Sequence, residues 1–279
     1  MKKQMIAAAA VTAMAMLAGC GGGSSSGTTA AKVTGAVADG YLENATVFMD
    51  KNNNYRLDAG EPQTQTDANG AYTLTVDPAD VGKYPIIALA VKGVTIDHDN
   101  GNTTPMTYSY MLSLPKESVS GTVSTDSNFI SPLTTQVREM MQARNLTMTQ
   151  AMDQLRDQMH LSAQTNVMGN YMGLQSQDAD AMHTTAQNMA TLMGGQMNLV
   201  YQSGSTTTTP TIDMNRYHGM MGVMFSNISS VQAATGTNQT MTQLMNQMFS
   251  DLTNITVGQP FQNMSSYYGG MMSGGGMMN

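Results

Sequence analysis

The apolar pattern of this chain changes period part-way along, and that change limits the fold more than any other feature. Ahead of Leu114 the apolar residues fall in short runs: Val33–Val37, Ala45–Met49, Ala71–Val76, Ile86–Val91 and Thr107–Leu112. Ala71–Val76 alternates and follows Asn69-Gly70, a hairpin signal, whereas Ile86–Val91 is apolar throughout, as a central strand is. Beyond Ser131 the spacing becomes three and four. Leu133, Val137, Met140 and Met141 share one face, then Met148, Met152, Leu155 and Met159. Further stripes run through Met182, Met189, Met193 and Met197, through Met214, Tyr217, Met221, Met224, Ile228 and Val231, and through Met241, Leu244, Met248, Leu252 and Ile255. Ser131 before Pro132, Thr147 with Gln150, Ser176, and Thr240 with Gln243 supply helix starts. Gly194-Gly195 is a point where the third helix is expected to bend or end. The pattern predicts an α+β chain with its two classes in separate domains: an N-terminal antiparallel β-sandwich over 32–115 and a C-terminal Met-rich α-helical bundle over 128–257.

The ends carry little to pack. Residues 1–19 read as a leader, with Lys2 and Lys3 ahead of an apolar run too short to span a bilayer. Residues 20–31 (Gly, Ser and Thr after one Cys) read as a flexible tether, and 258–279, rich in Gly and Met, as an unstructured tail. The leader ends in Leu17-Ala18-Gly19-Cys20. This resembles the lipobox of bacterial lipoproteins, which implies cleavage before Cys20 and lipidation of its thiol. Gly21 after the Cys implies, by the same resemblance, a lipid anchor in the outer membrane, on its periplasmic face or at the cell surface.

The net charge of −7 argues against a nucleic-acid partner, since phosphate binding needs clustered Lys and Arg. A single Cys excludes an internal disulfide and a Cys-rich zinc site. No Gly-x-Ser-x-Gly elbow, His-Glu-x-x-His pair, P-loop or Rossmann glycine pattern occurs, so neither an enzyme nor an organic cofactor is expected.

One stretch has a familiar look. Gly40-Tyr41-Leu42, the run Ala45–Asp50, the Asp/Asn loop after it and Thr66-Asp67-Ala68-Asn69-Gly70-Ala71-Tyr72 resemble the SdrD B-like or carboxypeptidase regulatory-like modules of bacterial surface proteins. The resemblance implies a prealbumin-like sandwich and a surface or adhesive setting. Ser127–Val137 is similar to the segment that follows such modules in large surface proteins.

Within that stretch, Asp50, Asn52, Asn54, Arg56, Asp58 and Glu61 occupy positions 1, 3, 5, 7, 9 and 12 of a calcium loop. Side-chain oxygens from Asp50, Asn52, Asn54 and Asp58, the Arg56 carbonyl and both Glu61 oxygens are the set that Ca²⁺ takes. Position 6 is Tyr55 rather than Gly, and the left-handed backbone needed there costs a non-Gly residue about 1–2 kcal/mol. The alternative is a turn closed by its own Asx hydrogen bonds. Asp97–Gly101 is a second acidic turn, read as a hairpin loop, and Asp180 with His183 as a surface pair.

The 30 Met residues invite two readings. At helical spacing they are core, because thioethers fill irregular interiors. The alternative is a Cu(I) site, since soft ions select thioethers. His218, Met220 and Met221, with the tail pairs Met271, Met272, Met277 and Met278, are its candidate ligands. The expected function is a non-enzymatic, lipid-anchored envelope protein that serves adhesion, scaffolding or partner binding, with a protein partner in the envelope. The alternative is a Cu(I)- or Ag(I)-sequestering, or oxidant-scavenging, Met-rich lipoprotein.

Overall fold

A computed structural model describes residues 29–121, 123–202, 210–234 and 239–255. Cys20, most of the tether and the tail Met pairs lie outside them. Among the described residues, eight strands are followed by six α-helices, an α+β layout.

Strands β1 (Ala31–Ala36), β2 (Leu42–Glu43), β3 (Thr46–Met49), β4 (Gln63–Gln65), β5 (Ala71–Val76), β6 (Ile86–Ala90), β7 (Ile96–Asp97) and β8 (Tyr110–Leu114) pair antiparallel throughout. One sheet runs β4-β3-β6-β8, and β1-β5 and β2-β7 form two further pairs. Strand β6, Ile-Ile-Ala-Leu-Ala, is buried along its whole length, as its unbroken apolar run demands. Strand β5 alternates: Tyr72, Leu74 and Val76 face the core while Thr73 and Thr75 face out.

Two strand expectations shift. The Asn69-Gly70 turn forms, closed by Asp67 Oδ1 accepting the N–H groups of Asn69 and Ala71 at 2.8 and 2.9 Å. Yet β5 pairs with β1 rather than with β4, so the turn carries the chain from one sheet to another. The last strand begins at Tyr110, not Thr107. Met106 is already held beside the β7 segment, donating to Thr95 O at 2.8 Å and accepting from Gly93 N at 2.9 Å.

Helix α1 (Pro132–Arg144) starts on Ser131 in a capping box, and α2 (Met148–Gln158) on Thr147 with Gln150. Helix α3 (Gln177–Val200) starts on Ser176 and α4 (Met214–Ser226) on Asp213. Helix α5 (Ile228–Ala233) and α6 (Gln239–Thr253) complete the set. Three helix expectations change. Thr240 lies inside α6 rather than ahead of it. The stripe from Met214 to Val231 breaks at Asn227, whose side-chain amide donates to Val223 O at 2.9 Å. Helix α3 runs straight through Gly194-Gly195. Gly194 is there for close approach, because a Cβ on it would lie 2.1 Å from the Tyr108 ring.

The buried apolar residues of the strands and of the helices belong to one cluster that runs from Val33 to Leu252. Two seams make the join. Helix α1 is stitched to β8: Thr134 Oγ1 donates to Ser113 O at 2.9 Å, and Ser113 N donates to Thr135 Oγ1 at 2.8 Å. Ahead of the helix, Ile130 bridges Val37 in parallel, just past the end of β1. Asn128 ties the same segment down, its side chain donating to Thr34 O at 2.9 Å and its carbonyl accepting the Tyr72 hydroxyl at 2.7 Å.

The helical Met residues supply much of the shared core. Met182, Met189, Met193, Met197, Met220, Met221, Met224 and Met248 are all buried. Each contributes about 1.5–3 kcal/mol by leaving water. Among the described residues, no helix is long and apolar enough to cross a membrane.

Candidate functional site

The Asp50–Glu61 loop is wound tightly by its own side chains. Asp50, fully buried, accepts the N–H of Asn54 on Oδ1 at 3.1 Å and that of Tyr55 on Oδ2 at 2.9 Å. Glu61 clamps the ends, accepting Lys51 N on Oε1 at 2.7 Å and Asp58 N on Oε2 at 2.9 Å. The side-chain amides of Asn52 and Asn54 both donate to Asp58 Oδ2, at 2.8 and 2.7 Å, and these bonds hold the Asp58 carboxyl below its usual range. Arg56 contributes its N–H to Asn54 Oδ1 at 2.8 Å.

These residues fit a calcium ion in part. Asn52, Asn54 and Asp58 already converge on one point, and an amide turned end for end offers oxygen in place of nitrogen. Asp50 and Glu61 spend their oxygens on backbone N–H groups. Among the described residues, no group of three or more His, Cys, Asp or Glu side chains is placed to hold a metal ion.

The loop has a second product, which explains the departure at position 6. Tyr55 takes the left-handed backbone, φ 60°, and sends its side chain into the helical half. The ring is fully buried. It packs at a tilt of 58° against Tyr217 with centroids 5.2 Å apart, and the Arg138 guanidinium covers its face at 4.1 Å. Its hydroxyl donates to Glu139 Oε1, and Glu139 Oε2 in turn meets His218 Nδ1. Burial alone would raise the Glu139 carboxyl. His218, Arg138 and the Tyr55 hydroxyl outweigh it and hold the group below its usual range. Burial pushes the Tyr55 phenol well up, so it remains a donor. The result is a polar chain from the strand half through α1 to α4, sealed from water.

Beside this chain lies a cavity of about 400 Å³ between the strand half and α1. Lys83, Lys116 and Arg138 line it, with Asp50 and Glu117. Met141, Leu146, Pro85 and Pro115 form its apolar wall. Arg138 is 2% exposed; its Nη2 donates to Asn53 Oδ1 at 2.6 Å, and its Nη1 has no partner.

A second junction joins β7 and its following turn to α3. His183 meets Asp99 Oδ1 at 3.0 Å through Nε2, not Asp180 as the sequence suggests, and Gln187 donates to Asp99 Oδ2 at 2.5 Å. Asp97 and Asp39 stand nearby. Asp39 is buried and accepts the Tyr110 hydroxyl at 2.7 Å. Burial, then the charge of Asp97, drives the Asp39 carboxyl far above its ordinary value. Burial and the Asp99 charge push Asp97 up to about 6. Burial works against the Asp99 carboxylate, but the bonds from His183 and Gln187 outweigh it and keep this group below its usual range. Gly40 makes room for the cluster, since a Cβ there would sit 2.2 Å from Asp97 Oδ1 and 2.5 Å from Asp99 Oδ1. The turn read from sequence as a hairpin loop thus also meets α3, through Asp99 on His183 and Gln187. His98, in the same turn, pairs instead with Glu43 of β2 at 2.7 Å, within the strand half.

Of the soft-metal candidates, Met220 and Met221 are fully buried and His218 is 4% exposed with Nδ1 on Glu139. Met271, Met272, Met277, Met278 and Cys20 lie outside the described residues. Sequence reasoning missed Glu139, Arg138, Tyr217 and the Asp39–Asp97–Asp99 group. The available signal was weak: an Arg-Glu pair within the apolar stripe of α1, and a Tyr where the loop needs Gly. The chain matches no protein-family model, no curated protein and no solved structure.

Proposed function

We propose that the chain is a non-enzymatic, lipid-anchored protein of the bacterial outer membrane, held through Cys20, whose strand and helical halves act as one rigid body for scaffolding, adhesion or binding a protein partner. In this reading a prealbumin-like sandwich is fused side by side with a Met-rich helical bundle. The observation that carries it is the Tyr55–Glu139–His218 chain. Ionisable groups that an enzyme would present to a substrate are here buried and spent on joining two halves. Rigid joining suits a body that holds a partner at a fixed distance from a membrane. The buried helical Met residues support packing over metal sequestration as their main task.

Calcium at the Asp50–Glu61 loop belongs to the same reading as a structural clamp. With Ca²⁺ bound, Asn52 and Asn54 present amide oxygens beside Asp58, and the loop that delivers Tyr55 is held more firmly.

The test of anchoring is mass spectrometry of the protein purified from its own membranes. An acylated Cys20 at the amino end is expected, and Cys20→Ala is expected to release the protein from the membrane fraction. An unmodified, uncut leader overturns the reading. Crosslinking the wild-type and Cys20→Ala proteins in intact cells then tests for the partner: an adduct present only with the anchored form is expected.

A further inference from the structure

We propose that the cavity between α1 and the strand half binds a small organic monocarboxylate with an apolar body. The argument starts from Arg138. This guanidinium is buried, fixed on one side by Asn53 and on its face by the Tyr55 ring, and its Nη1 has no partner. A buried charged donor without an acceptor is costly, and Arg is the side chain best shaped to meet a carboxylate. The cavity it lines sits where two halves of a fold meet, a common place for ligands.

Charge then sets the class of anion. Lys83, Lys116 and Arg138 face Asp50 and Glu117, leaving one net positive charge. The Asp50 oxygens are already taken by the N–H groups of Asn54 and Tyr55, so they do not compete for Arg138. A monoanion balances this site, whereas a phosphate dianion meets the two carboxylates with charge to spare. The rest of the ligand is set by Met141, Leu146, Pro85 and Pro115, which offer contact but no hydrogen bonds. At about 30 Å³ per water-sized group, the volume takes roughly a dozen non-hydrogen atoms.

The test uses the full-length protein carrying ¹³C-methyl Met, with the Met141 signal assigned by its loss in Met141→Leu. Hexanoate and 3-phenylpropionate are titrated separately, with 3-phenylpropionamide and inorganic phosphate as the other two arms. A saturable shift of the Met141 methyl is expected with at least one acid, with neither the amide nor phosphate reproducing it. Arg138→Gln is expected to abolish the shift. Lys83→Ala with Lys116→Ala, at two exposed positions that leave the fold intact, is expected to weaken binding about tenfold. If Arg138→Gln unfolds, the double lysine variant decides, and unchanged affinity there overturns the proposal. No saturable shift with either acid overturns it too, as does equal binding of the amide. Equal or tighter binding of phosphate shows a general cation patch and overturns the carboxylate assignment.

Discussion

Two of the junctions between the strand half and the helical half are built from ionisable groups, and they solve the same problem with opposite charge balances. At Tyr55–Glu139–His218, a single carboxylate is surrounded by a phenol, an imidazole and a guanidinium, and it is held ionised in the interior. At Asp39–Asp97–Asp99, three carboxylates crowd together, only Asp99 is paired with His183, and the other two are pushed toward the neutral form. The first is a bolt that loosens only as pH falls and its carboxylate takes up a proton. The second weakens as pH rises, because its carboxylates repel once they ionise. A fold can therefore carry two seams whose strengths move in opposite directions with pH.

The largest expected effect comes from breaking the bolt. Glu139→Ala leaves the buried His218 and Tyr55 without their hydrogen-bond acceptor and is expected to cost about 3–5 kcal/mol in urea unfolding at neutral pH. The folded Glu139 carboxyl lies below its unfolded value, so its contribution is present above that value and is lost as pH falls through the folded one. A cost that does not shrink in acid would show that Glu139 acts through shape rather than charge.

The second junction gives the opposite sign. The Asp97 carboxyl moves from 3.8 to about 6 on folding, so between these values the folded chain binds more protons than the unfolded one. Stability contributed here falls as pH rises across that window. The His183 imidazole is raised, chiefly by its bond to Asp99, and its contribution is present at low pH and lost as pH rises through its folded value. Asp97→Asn is expected to add about 1–3 kcal/mol above that window and to flatten the slope of melting temperature against pH. A variant with an unchanged slope would refute the contrast between the seams.

Smaller effects sharpen it. Tyr55→Phe keeps the ring and removes one donor from Glu139, for an expected cost of about 1–2 kcal/mol by the same unfolding measurement. Adding Ca²⁺ to the whole chain is expected to raise the melting temperature, EDTA to reverse it, and Asp58→Ala to abolish the response. A melt unmoved by either reagent ends the calcium assignment. The half-exposed His98–Glu43 pair sets the lower bound: His98→Ala is expected to cost under about 0.5 kcal/mol.

Much of the layout was legible because local rules governed it. Ser131, Thr147 and Ser176 cap the helices their spacing announced, and the all-apolar run from Ile86 became the buried β6. What escaped the sequence is long-range. Glu139 and His218 are far apart in the chain, and nothing local marks them as partners. Gly194-Gly195 reads as a break until Tyr108 is placed against it, and Asn69-Gly70 reads as a hairpin until β5 pairs with β1. Tyr55 looks like a defect in a metal loop. It is there because the loop must also fill a hole in the other half.

The segment from Asn128 to Ser131 carries a further consequence. Asn128 and Ile130 complete the wall beside β1, although they belong to the stretch that leads into α1. A gene cut anywhere between Leu114 and that stretch would yield a front piece with an open flank and a back piece with a loose leading strand. A cut that left both pieces stable would have to keep the Asn128–Ser131 stretch with the strand half and still leave Ser131 to cap α1.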